Sequence, residues 1–366
     1  MRAPIARPVA TSFGVMRNRP AVFLRIEDTD GAFGWGEAFT NWPAAGAEHR
    51  VNLLVQDVSD LLFGRDWCDP PAMFHELSRA THIRALQCGE PGPFRQVIAA
   101  LDIAAWDLVA RRAGLPLKDM LAPGAPSRVP AYASGIHINA AATEITRART
   151  AGFRAFKVKV GFDNSAEPGK LREVASLLEP GDRLFADANQ AWNADQAEMF
   201  LTDAADIGLG WMEEPIPADA PEGDWARLAA LSVPLAAGEN IAGHADYDQT
   251  LARRILRYVQ PDLCKWGGVT GCLHVARQTL QSGATYCPHF LGGGIGLVAS
   301  AHVLAAAGGP GLLEIDVNPN PLRDLLIPVG SSIRDGQWHM PDTSGLGIVG
   351  IPEEMLVHAT LSREVS

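Results

Sequence analysis

Eight short apolar runs occupy the chain beyond residue 128, and the polar residues that end them recur at a nearly constant step. The runs are 129–134, 155–160, 184–188, 210–213, 235–238, 257–261, 285–288 and 312–315. The residues at their ends are Ser134, Lys159, Asp187, Glu213, Glu239, Asp262, His289 and Glu314, spaced by 25, 28, 26, 26, 23, 27 and 25 residues. Ala-rich stretches such as 195–207, 273–281 and 297–307 lie between the runs. One step is the length of one strand, one helix and their turns, so the pattern predicts α/β architecture: a slightly shortened (β/α)8 TIM barrel. In such a barrel the C-terminal strand ends share one mouth, and the eight polar side chains ring it.

Their types define a chemistry. Asp187, Glu213 and Glu239 end three consecutive strands, an all-oxygen donor set suited to Mg²⁺, a hard octahedral ion that keeps part of its water. No cysteine or second histidine joins them, which disfavours zinc. Each acid alone is equally well a turn or a helix start; it is the shared spacing of 26 that argues for a set. Lys157 and Lys159 are two apart on one strand and face the same way, into the barrel, because Phe156, Val158 and Val160 need the other face buried. Two adjacent cations and a nearby metal are expected to lower a lysine pKa towards the range of a base. Asp262 and His289 end successive strands, and a carboxylate on the imidazole makes His289 a competent acid or base. His244, His274 and His302 lack such a context and read as structural. The run Gly294-Ile-Gly296-Leu-Val-Ala299 matches a dinucleotide fingerprint, but it follows the seventh strand and reads as a strand-to-helix turn whose N–H groups are available to an anion.

The part before the barrel reads as an α+β unit. Runs 21–27 and 33–39 flank Asp30-Gly31, a hairpin signal. Helix 94–113 presents Val97, Leu101, Ala104, Ala105, Leu108 and Val109 as one stripe and stops at Gly114 and Pro116. A Pro/Gly-rich linker at 122–128 gives expected units 1–122, 123–328 and 329–366, the last without a helical pattern. With 366 residues the chain has room for two domains. A net charge of −11 disfavours nucleic acid and anionic membranes as partners. The most apolar segment, 97–110, is broken by Asp102 and Asp107, so no membrane span is expected. Five cysteines without CxxC pairs and an N-terminus without an apolar signal core point to reduced thiols and a cytoplasmic protein.

In order, KVK at 157–159, DAN at 187–189, WMEEP at 211–215, GEN at 238–240, DLCKWGG at 262–268 and PHF at 288–290 resemble the enolase superfamily. The resemblance spans nearly the whole chain, and ALDIAAWDLVARRAGLPLKDML is similar to that family's last capping-domain helix. Asp262 stands where the muconate-cycloisomerase branch carries a lysine base, and with His289 it resembles the mandelate racemase branch; Lys265 is therefore not the second base. The resemblance implies a capping domain built from the first 122 residues and completed by the tail, with specificity loops at 12–19 and 39–49. It implies a protonated Glu314 hydrogen-bonded to a substrate carboxylate, substrate contacts at Ser134, Asn189 and Lys265, and a homo-oligomer, dimer or octamer. The implied reaction is removal of the proton beside a carboxylate, with Mg²⁺, Lys157 and Glu314 stabilising the enediolate and Lys159 and His289 as opposed acid–base groups. Two outcomes stay open: dehydration of an acid sugar to a 2-keto-3-deoxy acid, or racemisation or epimerisation of a 2-hydroxy acid. A metal-independent glycosidase using Glu213 and Glu239, a Schiff-base aldolase using Lys159, and a non-catalytic binding protein are the rivals.

Overall fold

The computed structural model describes residues 1–65, 67–327 and 329–366. The expected boundary residue Pro328 lies outside the described residues.

The chain opens with two antiparallel hairpins. Strand β1 (Arg2–Thr11) pairs with β2 (Gly14–Pro20), its register broken between Pro4 and Val9. Strand β3 (Val22–Glu27) pairs with β4 (Phe33–Ala38), and Asp28 Oδ1 accepts the Asp30 and Ala32 N–H groups inside the turn. The segment 12–19, expected to be a loop, is thus mostly strand, and only its tip at Ser12–Phe13 is left to shape a mouth. The other expected loop, 39–49, runs into helix Gly46–Leu53, which takes up His49.

Helix Pro91–Arg112 packs on the second hairpin, and helix Pro70–Cys88 packs on that helix. Helix Pro70–Cys88 is capped by Asp69 and ends at Gly89, whose φ of 71° is left-handed. Met73, Phe74 and Leu77 meet Val97, Ile98 and Leu101 in a core separate from the barrel's. Strand β4 lies directly on the backbone of helix Pro91–Arg112. A Cβ at Gly36 would sit 2.0 Å from the Ala100 carbonyl oxygen, and one at Gly34 2.0 Å from that of Ala104.

Eight parallel strands follow: β5 (Arg128–His137), β6 (Ala155–Lys159), β7 (Arg183–Asp187), β8 (Met212–Glu213), β9 (Leu235–Ala237), β10 (Tyr258–Val259), β11 (Thr285–Tyr286) and β12 (Leu313–Asp316). They pair in sequence from β5 to β11, and β12 returns to pair with β5. The ladder is open at one seam, between β11 and β12, although the strands approach closely there: a Cβ at Gly311 would meet the Tyr286 carbonyl oxygen at 1.9 Å. The fold is a modified TIM barrel without a closed hydrogen-bond ring. Inside, Trp211 stacks on Phe185 with centroids 3.6 Å apart, and Tyr132 meets both edge-on. These rings fill the barrel below the strand ends.

After the barrel, β13 (Ile333–Arg334) and β14 (Gln337–His339) form a hairpin, and β14 adds antiparallel to the start of β5. Further on, the tail lies along helix Pro91–Arg112: Asp107 accepts the Leu346 N–H at 2.6 Å, and Arg111 donates to the Ile348 carbonyl. Contrary to expectation the tail holds short helices, Val329–Ser332 and Glu353–Leu356. Four-residue helices are too brief to show a hydrophobic period. Among the described residues no helix is long and apolar enough to cross a membrane.

Candidate active site

Strand register brings the expected residues together. Lys159 is paired with Asp187, and Asp187 with Glu213; Glu239 follows two residues after β9. Asp262 and His289 each follow their strand by three residues, and Glu314 lies within β12. All eight ring positions are therefore at one end of the sheet.

Lys157 has no exposed surface, and its Nζ is 2.6 Å from Glu213 Oε1, 2.7 Å from Glu314 Oε1 and 3.4 Å from Asp187 Oδ2. Beneath it lies the Tyr132 ring, 5.4 Å from Nζ. Lys159 donates to Asp187 and, at 2.8 Å, to Asn189 Oδ1. Asn189 is in turn seated by the Ser12 hydroxyl of the first hairpin's tip, which donates to its carbonyl at 2.7 Å. Asn189, Gln190 and Glu214 all have positive φ, at 44°, 64° and 39°. Such backbone costs free energy and is held by the Gln190 N–H on the Glu214 carbonyl, 2.7 Å.

From the other side of the ring, His289 Nδ1 is 2.8 Å from Asp262 Oδ2, while Nε2 faces Glu239 and is 3.9 Å from Glu314 Oε2. Asp262 is itself fixed, its Oδ1 accepting the N–H groups of Cys264 and Lys265 at 2.8 and 3.1 Å. Glu314 accepts from the Ser134 hydroxyl at 2.5 Å and from the Phe290 N–H at 3.1 Å.

Without a divalent ion these contacts hold the lysines and Glu314 in their charged forms. Burial disfavours the Lys159 ammonium, but the carboxylates, Asp187 foremost, outweigh it and hold the pKa above the ordinary lysine value. Lys157 behaves likewise between Glu213 and Glu314. Burial favours neutral Glu314, yet Lys157, His289 and Lys159 together hold its pKa below the usual carboxylate range. The expectation of a lowered lysine pKa counted a nearby metal as well as the second cation, and the acids that face the lysines here are those expected to hold it. His289 is also held well above its ordinary value, burial being outweighed by Glu239, Glu314 and Asp262.

Nor do the three expected metal ligands form a cluster as they stand. Among the described residues no group of three or more His, Cys, Asp or Glu side chains is arranged to hold a metal ion. Each acid is occupied by a protein donor instead: Asp187 by Lys159, Glu213 by Lys157 and by Gln260 Nε2 at 2.7 Å, Glu239 by His289. The donor chemistry nevertheless fits a hard divalent cation. Asp187 and Glu213 press together on paired strands, and burial with the Asp187 charge pushes Glu213 up to about 8. Asp187 is held down at about 2, the two lysines overriding its burial. A divalent ion relieves such a repulsion between oxygens.

Of the expected substrate contacts, Ser134 is buried and spends its proton on Glu314. Asn189 orients Lys159. Lys265 donates to Asn240 Oδ1 at 2.8 Å and lies over the Phe39 ring. Sequence reasoning missed Gln260 and Asn240 and named Ser12 only within the segment 12–19. Asn240 ends the GEN motif and donates to both oxygens of buried Glu214, which burial and then the Glu239 charge push up to about 8. The polar residues beside Asp262 and Glu239 were the available signal for Gln260 and Asn240.

The description "Mandelate racemase / muconate lactonizing enzyme, N-terminal domain" matches residues 1–122, and "Enolase C-terminal domain-like" matches residues 140–354. The chain belongs to the mandelate racemase branch of the enolase superfamily. A mandelate racemase/muconate lactonizing enzyme from Bordetella bronchiseptica RB50 superposes with a TM-score of 0.89 at 47% identity, covering 93% of this chain and 94% of that one. D-galactarolactone cycloisomerase of Agrobacterium fabrum is 28% identical, over 90% of this chain and 89% of its own. L-talarate dehydratase from Polaromonas sp. JS666, solved with Mg and L-glucarate, has a TM-score of 0.81 at 25% identity, covering 97% and 94%.

Proposed function

We propose that this family member catalyses Mg²⁺-dependent abstraction of the proton alpha to a carboxylate of an acid sugar, followed by loss of the β-hydroxyl to give a 2-keto-3-deoxy acid. The observation that carries this reading is the opposition of Lys159, on β6, to Asp262 and His289, beyond β10 and β11, with the row of acids from β7 to β9 between them. A relative named for D-galactarolactone, and one named for L-talarate and solved with Mg and L-glucarate, support the substrate class.

Asp187, Glu213 and Glu239 would hold Mg²⁺, which when bound would neutralise part of their charge and supply positive charge to the substrate carboxylate. With those acids neutralised, the charges that keep the Lys159 pKa high would be offset and Lys159 could serve as a base. Lys159 takes the alpha proton, and Lys157 stabilises the negative charge that develops on the substrate carboxylate oxygens. His289, its Nδ1 fixed by Asp262, delivers a proton from Nε2 to the departing β-hydroxyl, which leaves as water. The enol left behind tautomerises to the keto acid. For a substrate without a β leaving group the same two faces support a 1,1-proton transfer.

The test is turnover of L-glucarate, L-talarate and D-galactarolactone with Mg²⁺, scored for keto-acid formation and for exchange of the alpha proton with deuterated solvent. Lys159→Ala and His289→Ala are each expected to lower turnover about 10²- to 10⁴-fold. His289→Ala is expected to retain exchange, which needs only Lys159. Full activity in both variants, or undiminished turnover after EDTA treatment, overturns the reading.

A further inference from the structure

The segment that carries His289 is held from outside the barrel. From Phe290 to Gly293 it runs into helix Gly294–Ala307, and several of its backbone groups are held by side chains. The Leu291 carbonyl accepts from Asn41 Nδ2 at 2.6 Å, and the Gly292 carbonyl from Asn320 Nδ2 at 2.7 Å. The Gly293 N–H donates to Glu37 Oε1, and the Gly296 N–H to Glu37 Oε2 at 2.8 Å. Glu37 stands near the end of β4, 2% exposed, and among the described residues no side-chain cation pairs with it. Its only compensation is the start of the helix, whose N–H groups and dipole favour an anion there. The glycines make this approach possible: a Cβ on Gly292 would sit 2.7 Å from Glu37 Oε1, and one on Gly293 3.0 Å. The N–H groups that the fingerprint-like sequence left available to an anion are thus taken by a carboxylate of the chain's own first domain.

We infer that Glu37 is a positioning residue for His289. By gripping the helix start it fixes the segment whose preceding residue is the acid–base imidazole, so the capping hairpin sets where that ring stands against Asp262 and Glu239. Glu37 touches no reacting atom, and its effect passes through backbone. The inference rests on the acid–base reading of His289 for its catalytic consequence, but not for its structural one.

The substrate-free test is ¹⁵N NMR of histidine-labelled protein at fixed pH, the His289 ring signals being those absent from His289→Ala. Glu37→Gln preserves length and shape but turns an amide NH₂ towards an N–H donor. It is expected to shift or broaden the His289 ring nitrogens while leaving the other histidines and the melting profile in place. With L-glucarate and Mg²⁺, kcat is expected to fall about 10- to 100-fold, as for a displaced catalytic group, with KM changed less than about threefold. A folded Glu37→Gln protein with unmoved His289 signals overturns the inference. Should that variant not fold, Asn41→Ala, which frees only the Leu291 carbonyl, decides by the same signals. If His289→Ala keeps wild-type kcat, the acid–base reading has failed, whereas unmoved ring signals in Glu37→Gln defeat only the positioning role.

Discussion

Lys157 is a buried ammonium with three carboxylates around it, and its role is as much electrostatic bookkeeping as catalysis. Without it, Glu213 and Glu314 would face each other in a region closed below by Trp211, Phe185 and Tyr132. Removing one partner of such a buried set strands the others. Lys157→Ala is therefore expected to destabilise the chain by about 3–5 kcal/mol, read by urea unfolding in EDTA; a change below about 1 kcal/mol would mean that water reaches these acids. At this scale the residue types of the site were legible and their charge states were not. The identities of Lys157, Lys159, Asp262 and His289 follow from period-two facing and from strand-end spacing. Whether a lysine is pushed down by its neighbour or held up by an acid depends on distances across strands, such as the 2.7 Å between Lys157 and Glu314, that no spacing reveals.

Elements whose burial pattern is regular were legible, and those that break a pattern for a reason were not. The eight barrel runs stand out because each step repeats one packing problem. Three ladders are shorter than their runs, only Met212–Glu213, Tyr258–Val259 and Thr285–Tyr286. The residues that flank them still bond to the neighbouring strand, the Gly210 N–H to the Leu184 carbonyl and the Cys287 N–H to the Val259 carbonyl. Strand β1 escaped because Pro4 and Pro8 argue against a strand, yet it pairs on one side only, with β2, and its register shift falls between Pro4 and Val9. The Gly34 and Gly36 alternation in β4 carried a message too: a strand face with no side chains is a face for another backbone. Gly36→Ala puts a methyl against the Ala100 carbonyl and is expected to cost at least about 1–3 kcal/mol, measured as a lowered denaturation midpoint. The same change at Gly31, where a Cβ meets nothing within 4 Å, is expected to pay only the smaller strain of its φ of 81°.

On the scale of the whole molecule, buried acids of the first domain join it to the barrel by reaching helix starts. Glu37 takes the start of helix Gly294–Ala307. Asp102, on helix Pro91–Arg112, takes the start of helix Gly268–Gln281, accepting the Thr270 N–H at 2.9 Å and its hydroxyl at 2.6 Å. Both helices follow strands that carry the proposed acid–base pair, Asp262 and His289, so the domain contact and the candidate site share backbone. This arrangement has a pH signature away from the candidate metal ligands. Burial pushes Asp102 up to about 7 against its hydrogen bonds, whereas the unfolded chain loses that proton near 3.8. Between those values the folded state holds more protons, so its stability is greatest at the acid end and falls as pH rises towards 7. The Asp102 share of that fall is at most about 1.4 kcal/mol per pH unit. Asp102→Asn keeps the contact, since its Oδ1 accepts the Thr270 N–H and its Nδ2 donates to the Thr270 hydroxyl oxygen, but it carries no titrating proton. Urea unfolding between pH 4.5 and 7 is expected to show a shallower decline for Asp102→Asn than for the natural chain. Equal slopes would mean that Asp102 keeps its charge inside the interface, and that helix start rather than proton carries the full compensation.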